Sequence, residues 1–394
     1  MKKIVLTLFA LLPCLLFSGC VDYKGLDETT IVTGISIDIS DKNPKEYHIA
    51  VEILERSSSV EASAVSSKLI EAEGKSFFDT VYRMNKRLDG DLYFGTTGVI
   101  IINRRLAEKT GIRDILDSVL RDFDFRDSVA IIISMEDTAK ELLEMKDKEE
   151  DISSHSISSI LNKKKIYTNS VLKTAPFEFY NTIFEKTSSP MFPAFSIQKT
   201  DNSSEGVLTA DGYAIFKEDY LDGFLHEKHS SSLLFATKKL NGGSYLFDIS
   251  SEPDVENDYF SDATIIVNES KPRLDYKFDG KQFTLFIDVQ IEATAIELPP
   301  GLLDTNRTEL GNINRRANEA LETEITAMVH DVQKNPGQDI FGFGQLVYHN
   351  NPDLFDKIRN DWNSYFSQAF VQVSCHFNIK DTSMTYTYQA PKHE

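Results

Sequence analysis

Hydrophobic and polar residues follow two different periods along this chain of 394 residues. Apolar side chains alternate with polar or small ones in residues 31–39 and 47–53, which predicts the two strands of a hairpin. Residues 77–88 instead carry apolar side chains at helical spacing behind Ser76, a residue type that caps helices. Residues 99–102 are apolar without interruption, as in a strand that is buried on both faces.

The alternation of helices and strands continues further along the chain. Residues 106–120 predict two short helices separated by Gly111. Residues 129–133 predict another buried strand, and residues 136–145 predict a short amphipathic helix. The pattern then stops, because residues 146–159 are charged and rich in serine, a composition typical of a linker.

The second half of the chain is less regular and ends in clearer elements. Residues 211–216 and 233–247 predict strands, and Asp279–Gly280 predicts a tight turn of a hairpin. The remaining predicted elements are the two hairpin strands, two helices and two closing strands, over residues 274–278, 283–293, 310–332, 353–366, 370–379 and 384–388. Together the elements predict an α+β fold of three mixed domains, each a β-sheet packed with helices, over residues 20–148, 149–270 and 271–394.

The chain starts with MKKIVLTLFALLPCLLFSGC, which combines two lysines, an apolar stretch and a small-small-cysteine ending. This is the pattern of a bacterial lipoprotein signal. We predict that residues 1–19 are removed as a signal peptide and that Cys20 then carries a thioether-linked diacylglycerol. Phe17 stands where such signals usually have leucine, so a plain signal peptide without lipid stays an alternative.

The chain is acidic. Its net charge is −19, and loss of Lys2 and Lys3 with the signal gives −21 (−19 − 2). Such a chain is repelled by phosphates, so we expect no nucleic acid partner and a body that stands off anionic lipid. Cys14 would leave with the signal, so Cys375 would have no disulfide partner besides the modified Cys20. We interpret Cys375 as a small buried apolar side chain.

Candidate sites each have a plainer interpretation. His226 and His229 could share a helix face and a metal ion, but no third ligand stands nearby, which favours a solvated loop or helix end. The charged residues 121–127 could hold a cation, but interleaved phenylalanines favour an ion-paired surface. Phe341–Gly344 lacks the third glycine of a dinucleotide loop, and residues 345–348 predict a strand.

Trp362 is the only tryptophan, and on the helix predicted over residues 353–366 it shares a face with Phe366. Core packing is the first interpretation and an exposed binding anchor the second. We therefore predict no catalytic residue, no metal site and no cofactor, and we leave the ligand-binding residues unknown.

Four blocks of the chain stand out in combination. They are the lipid-signal cysteine followed by TTIVTGISIDIS with Gly34 and Asp38, the stretch Leu92–Arg126, the stretch ADGYAIFKEDYLDGFL, and QDIFGFG with Trp362 and Phe366 downstream. Together they resemble the spore germination C-subunit lipoproteins, the Ger(x)C family. The chain departs from the family at Val21, where tryptophan is frequent, and at Thr96 or Thr97, where histidine is common. These two departures bear on the subgroup within the family and on its ligand specificity, and not on membership of the family.

The resemblance implies a three-domain α+β fold and a non-enzymatic subunit of a nutrient germinant receptor. It also implies two membrane-embedded partner subunits and a lipid-anchored position on the outer face of the spore inner membrane. The sequence identifies neither the nutrient nor the surfaces that touch the partners. The alternative function is that of a solute-binding lipoprotein of an import system, although hairpins in the C-terminal half disfavour the two parallel-sheet lobes of such proteins.

Overall fold

The structure is a computed structural model. It describes residues 29–55, 66–121, 124–146, 152–162, 171–199, 206–238, 240–248, 262–298 and 307–380. These residues form two mixed sheets packed with helices, which confirms the predicted α+β class. None of the helices in these ranges is long and apolar enough to cross a membrane.

The first sheet has nine strands in the described part of the chain, in the spatial order β3-β2-β1-β5-β6-β7-β8-β9, with the short β4 beside the start of β1. The central pairs from β1 to β7 are parallel, whereas the hairpins at both ends are antiparallel. The strands are β1 (Thr29–Ile39), β2 (Tyr47–Glu55), β3 (Ser66–Gly74), β4 (Asp91–Tyr93), β5 (Val99–Asn103), β6 (Ala130–Ser134), β7 (Met191–Lys199), β8 (Gly206–Lys217) and β9 (Tyr220–His226). Strands from both sides of residue 148 belong to this sheet. The division into three domains stays a prediction.

Helices cover both faces of the first sheet. They are α1 (Phe77–Asn85), α2 (Arg104–Thr110), α3 (Arg113–Arg121), α4 (Lys140–Glu144), α5 (Ser153–Leu161) and α6 (Pro176–Glu185). α1, α2, α3 and α6 share one hydrophobic cluster with the sheet, and α4 and α5 belong to the cluster on the opposite face. Both faces of β5 and β6 are therefore buried, as the uninterrupted apolar sequence predicts.

The second sheet has the order β10-β11-β12-β13, with β12 and β13 parallel, in the ranges that are described. The elements of this half are β10 (Ser244–Asp248), β11 (Asp262–Phe278), β12 (Phe283–Glu297), β13 (Phe370–Lys380), α7 (Ser230–Thr237), α8 (Arg307–Lys334), α9 (Phe343–Asn350), α10 (Pro352–Ile358) and α11 (Trp362–Gln368). The hairpin at Asp279–Gly280 and the long helix α8 confirm the prediction. The inner face of this sheet and one face of the first sheet share one hydrophobic cluster.

Helix α5 begins in serine-rich sequence that we predicted to be a linker, and that prediction is wrong for residues 153–159. The small side chains of this helix permit a close approach to the sheet. A Cβ atom added to Gly34 would lie 2.6 Å from Cβ of Ser154, and one added to Gly98 would lie 2.6 Å from Oγ of Ser158. Tertiary packing of small residues therefore decides the structure here, against the local composition.

A buried carboxylate holds the start of α5. Glu52 is 1% exposed, and its side chain accepts hydrogen bonds from the backbone N–H groups of Ser153 (2.9 Å) and Ser154 (3.2 Å). The hydroxyls of Thr33 (2.8 Å) and Ser67 (3.0 Å) donate to the same carboxylate. Glu52 thus satisfies N–H groups at the helix N-terminus that have no partner within the helix.

Helix α8 covers the outer edge of β13. The backbone N–H groups of residues 375, 377 and 379 donate to the side chains of Glu322 (2.8 Å), Asn318 (2.7 Å) and Asn314 (2.9 Å). Four residues of helix rise about 6 Å and two residues of strand rise about 6.6 Å, so the two series stay in step. Side chains of α8 thereby accept the hydrogen bonds that the edge strand could otherwise donate to another strand.

Two other predicted elements differ from the structure. The prediction of residues 233–237 as part of a strand is wrong, since they belong to α7. The segment is buried on nearly all sides, so its sequence shows no helical period. The helix predicted over residues 353–366 is divided by a 3₁₀ turn at Arg359–Asp361 into α10 and α11.

Candidate functional site at the joint between the two sheets

The residues singled out in the sequence lie apart from one another. Cys20 precedes the described residues, so its lipidation stays a prediction. His226 uses Nδ1 to accept a hydrogen bond from the N–H of Lys228 (3.3 Å), and His229 is buried with Nε2 2.9 Å from Oδ2 of Asp331. The described residues contain no group of three or more His, Cys, Asp or Glu side chains that could hold a metal ion.

The charged stretch at residues 121–127 is only partly described. Arg121 pairs with Asp117 in the preceding helical turn (2.8 Å), and Phe125 is buried against Phe94 with stacked rings. Both contacts fit the interpretation as an ion-paired surface segment. Cys375 is 1% exposed, and burial raises the pKa of its thiol, so it packs as an apolar side chain.

Asp339 organises the segment that follows α8. Its carboxylate accepts hydrogen bonds from the N–H groups of Phe341 (3.0 Å), Gly342 (3.1 Å) and Gly344 (2.8 Å), and from the indole N–H of Trp362 (2.9 Å). Trp362 is 2% exposed, which confirms its place in the core. Burial raises the pKa of Asp339, against the effect of these four donors.

The same carboxylate explains why the prediction of an extended stretch at residues 345–348 is wrong. Asp339 binds N–H groups at the start of α9, which includes these residues. Gly344 is required there, since an added Cβ would lie 2.2 Å from the carbonyl oxygen of Thr187. The glycines of Phe341–Gly344 therefore serve a helix start and a close backbone contact.

Gln338 connects the two sheets at what we call the joint, the contact of residues 338–339 with Ser189 and Asp222. The hydroxyl of Ser189 donates to Oε1 of Gln338 (2.9 Å), and Nε2 of Gln338 donates to Asp222 (2.8 Å). The N–H of Ser189 also donates to the carbonyl of Asp339 (2.7 Å). Asn363 donates to Oε1 of Gln338 from α11. Because Gln338 is 4% exposed, this is a buried polar network, and it fixes one sheet against the other.

A cleft opens beside the joint. Its volume is about 150 Å³, and we call it the basic cleft because three cationic side chains line it, those of Lys186, Lys217 and Arg359. Glu218 is the one carboxylate among its lining residues, and Asn360 and Asn363 contribute amides. Clefts between structural units are where small-molecule sites occur most often.

Two residues of the basic cleft have backbone conformations that favour glycine. Lys186 ends α6 with φ 53°, and Glu218 stands in the turn between β8 and β9 with φ 54°. Within the described ranges they are the only non-glycine residues with positive φ. Each conformation costs roughly 1 kcal/mol in a residue with a Cβ atom. Their side chains face each other, with Nζ of Lys186 3.4 Å from Oε1 of Glu218.

A second buried carboxylate lies at the far end of β1. Asp38 is 4% exposed, and its Oδ1 accepts the N–H of Ala139 (2.6 Å) at the start of α4. Oδ2 is buried and meets no donor in the described part of the chain. Burial raises the pKa of Asp38 to about 6, although the N–H groups of Ala139 and Lys140 and the neighbouring His48 act in the opposite direction.

Sequence reasoning singled out Trp362 but gave no role to Asp339 or to the charged residues of the basic cleft. Asp339 lies within the block QDIFGFG, but nothing local distinguishes its carboxylate from the many others of an acidic chain. Positive φ is usually predicted from a glycine in the sequence. Lys186 and Glu218 have positive φ without being glycine, so their sequence does not indicate it.

Comparison with known proteins covers nearly the whole chain. Residues 22–197 match the family described as "Spore germination protein N-terminal domain", and residues 211–383 match "Spore germination B3/ GerAC like, C-terminal". The chain belongs to the Ger(x)C family of spore germination proteins. This confirms the resemblance found in the sequence.

Curated relatives and a solved structure agree with the Ger(x)C assignment. Spore germination protein KC of Bacillus subtilis (strain 168) is 22% identical over 405 residues, covering 97% of each chain. Spore germination protein GerQC of Bacillus cereus is 24% identical over 324 residues, which are 82% of this chain and 84% of that protein. The crystal structure of the GerBC protein has a TM-score of 0.56 at 15% identity and covers 88% of this chain and 96% of that chain, a likeness of fold.

Membership of the Ger(x)C family gives the chain a role in spore germination, as a protein of the germinant receptor C-subunit class. Proteins of this class belong to receptors of several subunits, which supports protein partners in general and an association with the spore. None of the relatives named above is named as an enzyme.

Proposed function

We propose that this Ger(x)C protein is the lipid-anchored C subunit of a nutrient germinant receptor. In this proposal Cys20 carries the anchor, the body stands on the outer face of the spore inner membrane, and it acts by contact with two membrane-embedded partner subunits. The observation that carries the proposal is that both halves of the chain match the family, with no large region left over. The lipoprotein signal that ends in Cys20 supports the anchor.

Contact, and not chemistry, is the mode of action that the described residues favour. The buried carboxylates Glu52 and Asp339 are engaged in holding helix starts, and the buried Cys375 has a raised pKa. The joint fixes the two sheets against each other through Gln338. A partner that touches both halves would therefore meet a single surface of fixed shape.

Deleting the chain from a spore-forming strain should abolish germination in response to the nutrient that its receptor recognises. Germination by triggers that bypass nutrient receptors should be unchanged, because the spore otherwise stays intact. The measurement is the loss of optical density of purified spores after each kind of trigger, with a complemented strain as the control. An undiminished response to every nutrient tested would contradict the proposal.

The variant Cys20→Ala should lose its lipid and leave the membrane fraction. Two acyl chains give stable anchoring at about 0.8 kcal/mol per buried CH₂, and the acidic body adds no attraction to anionic lipid. Membrane fractionation and mass spectrometry of the mature terminus measure the effect, together with the nutrient response. Cys375→Ala is the matched control, since it removes a buried cysteine and leaves the signal intact.

The fractionation result separates the anchor from the receptor role. Wild-type protein with an unmodified terminus would overturn the anchor alone. A soluble Cys20→Ala protein that supports a full nutrient response would show that partner contact suffices for function.

A further inference from the structure

We infer that the basic cleft binds a small oxyanion, a carboxylate or phosphate group of a water-soluble molecule. The inference does not depend on the proposed anchor or partners. It rests on three separate observations: the sign of the local charge, the shape of the cleft beside the joint, and the backbone conformation of two of its residues.

The charge of the basic cleft is opposite to that of the chain. The lining side chains include three cations and one carboxylate, whereas the whole chain has a net charge of −19. Arg359 is also paired with Asp356 (2.6 Å), which lies outside the lining. Lys217 makes no ion pair within the described residues. A concave site of positive sign concentrates anions that the rest of the surface repels.

Arg359 is held in place without a ligand. Its guanidinium donates to the carbonyl of Glu185 (2.8 Å) and lies over the rings of Tyr348 and Phe355. A cation fixed in this way need not be ordered when an anion arrives, so less entropy is lost on binding. Lys186 is held less tightly, because its ion pair with Glu218 is long at 3.4 Å and both side chains are about half exposed. An incoming anion can therefore replace Glu218 as the ion-pair partner of Lys186.

The volume and the lining of the basic cleft suit a small polar solute. About 150 Å³ accommodates a few non-hydrogen atoms together with some water. The lining includes the buried side chains of Ser189, Gln338 and Trp362 and the amides of Asn360 and Asn363, of which Asn363 already donates one hydrogen bond to Gln338. Carboxylates and phosphates accept hydrogen bonds from amide N–H groups and from ammonium groups.

The backbone at Lys186 and Glu218 is the third observation. Glycine would adopt the positive φ of both positions without strain, yet both carry long charged side chains that line the same cleft. Backbone strain of this kind is concentrated at functional sites. The αL conformation of Lys186 closes α6, where its N–H donates to the carbonyl of Thr182 (3.1 Å), and glycine is the usual residue at such a helix end. A lysine at this position places an ammonium group in the cleft.

The test uses isothermal titration calorimetry of the detergent-solubilised full chain with sodium phosphate and with sodium acetate at constant ionic strength. We expect a dissociation constant on the order of 1 mM for at least one of the two, since so small an ion can gain only limited energy. Sodium chloride titrated over the same range is the reference for general salt effects. Binding of phosphate alone or of acetate alone would identify the class of oxyanion.

Two variants assign the binding to the basic cleft. Lys217→Gln should weaken it at least tenfold, and Lys186→Gly at least fivefold, whereas the charge control Lys281→Gln on the distant β11–β12 turn should leave it unchanged. Lys186→Gly also relieves the positive φ, so its melting temperature without anion should be equal to or above that of the wild type. A purely structural Lys186 would change only the melting temperature.

The inference would be overturned by either of two results. One is heat no larger than that of sodium chloride for both anions. The other is binding that Lys217→Gln and Lys186→Gly leave unchanged while both variants fold as the wild type does.

Discussion

Replacing Asp339 with asparagine is expected to lower the free energy of unfolding by about 3 kcal/mol. Each oxygen of this buried carboxylate accepts two donors, with Phe341 and Gly342 on one oxygen and Gly344 and Trp362 on the other. An asparagine amide has only one oxygen, so either orientation points its N–H₂ group at two other N–H donors. Urea unfolding followed by the fluorescence of Trp362 measures the loss.

The control for Asp339→Asn is Asp137→Asn, the same chemical change at an exposed aspartate. It should alter the free energy of unfolding by less than about 0.5 kcal/mol. If Asp339→Asn were as mild as this control, the four hydrogen bonds would not be what holds the start of α9 and the joint in place.

Replacing Asp38 with asparagine is expected to have the opposite effect at neutral pH, a gain of about 2 kcal/mol in the free energy of unfolding. Asparagine keeps the oxygen that accepts from Ala139, and it removes a charge whose second oxygen has no donor within the described residues. The pKa of Asp38 rises from 3.8 to about 6 on folding, so the folded chain binds this proton more tightly. Its contribution to stability is therefore highest below pH 3.8 and falls as pH rises to about 6.

Unfolding at pH 4 and at pH 7.5 tests the Asp38 prediction. The advantage of Asp38→Asn over the wild type should be present at pH 7.5 and nearly vanish at pH 4, where the wild-type carboxyl is protonated in the folded chain. A variant that is destabilised equally at both would mean that the charged form of Asp38 is favoured by the fold.

Asp38 and Asp339 show where sequence information ends. Asp38 lies at the end of a strand and Asp339 between two helices, but in an acidic chain their side chains look alike in sequence. Four donors surround Asp339, whereas one oxygen of Asp38 has no donor among the residues that the structure describes, and distant residues set this difference. Only the assembled fold decides which carboxylate stabilises it.

The elements that sequence predicted correctly depend on local chemistry. The turn at Asp279–Gly280 and the apolar stripe of α8 are encoded within a few residues of each other. The elements that it missed depend on distant contacts. Serines read as a linker became α5 because Gly34 and Gly98 leave room for them, and α7 lacks a helical period because nearly all its sides are buried.

The family could be recognised from sequence because four blocks spread over the chain match it together. The basic cleft could not be predicted from sequence. Its cations are the residue after α6, the last residue of β8 and the first residue of the 3₁₀ turn before α11, which are distant in sequence. Neither Lys186 nor Glu218 carries a residue type that indicates positive φ. Such a site can be found only when the two sheets are placed side by side.

The series of side chains from α8 along β13 limits the ways in which another chain could add to the second sheet. Strand exchange or fibril growth needs backbone donors that are still unpaired, and three of those on β13 already bind Asn314, Asn318 and Glu322. A neighbouring polypeptide that tried to extend this sheet would first have to pull a helix of 28 residues away from it. Association on this side of the molecule is thus restricted to side chains, which can be reversible and selective where backbone pairing is neither.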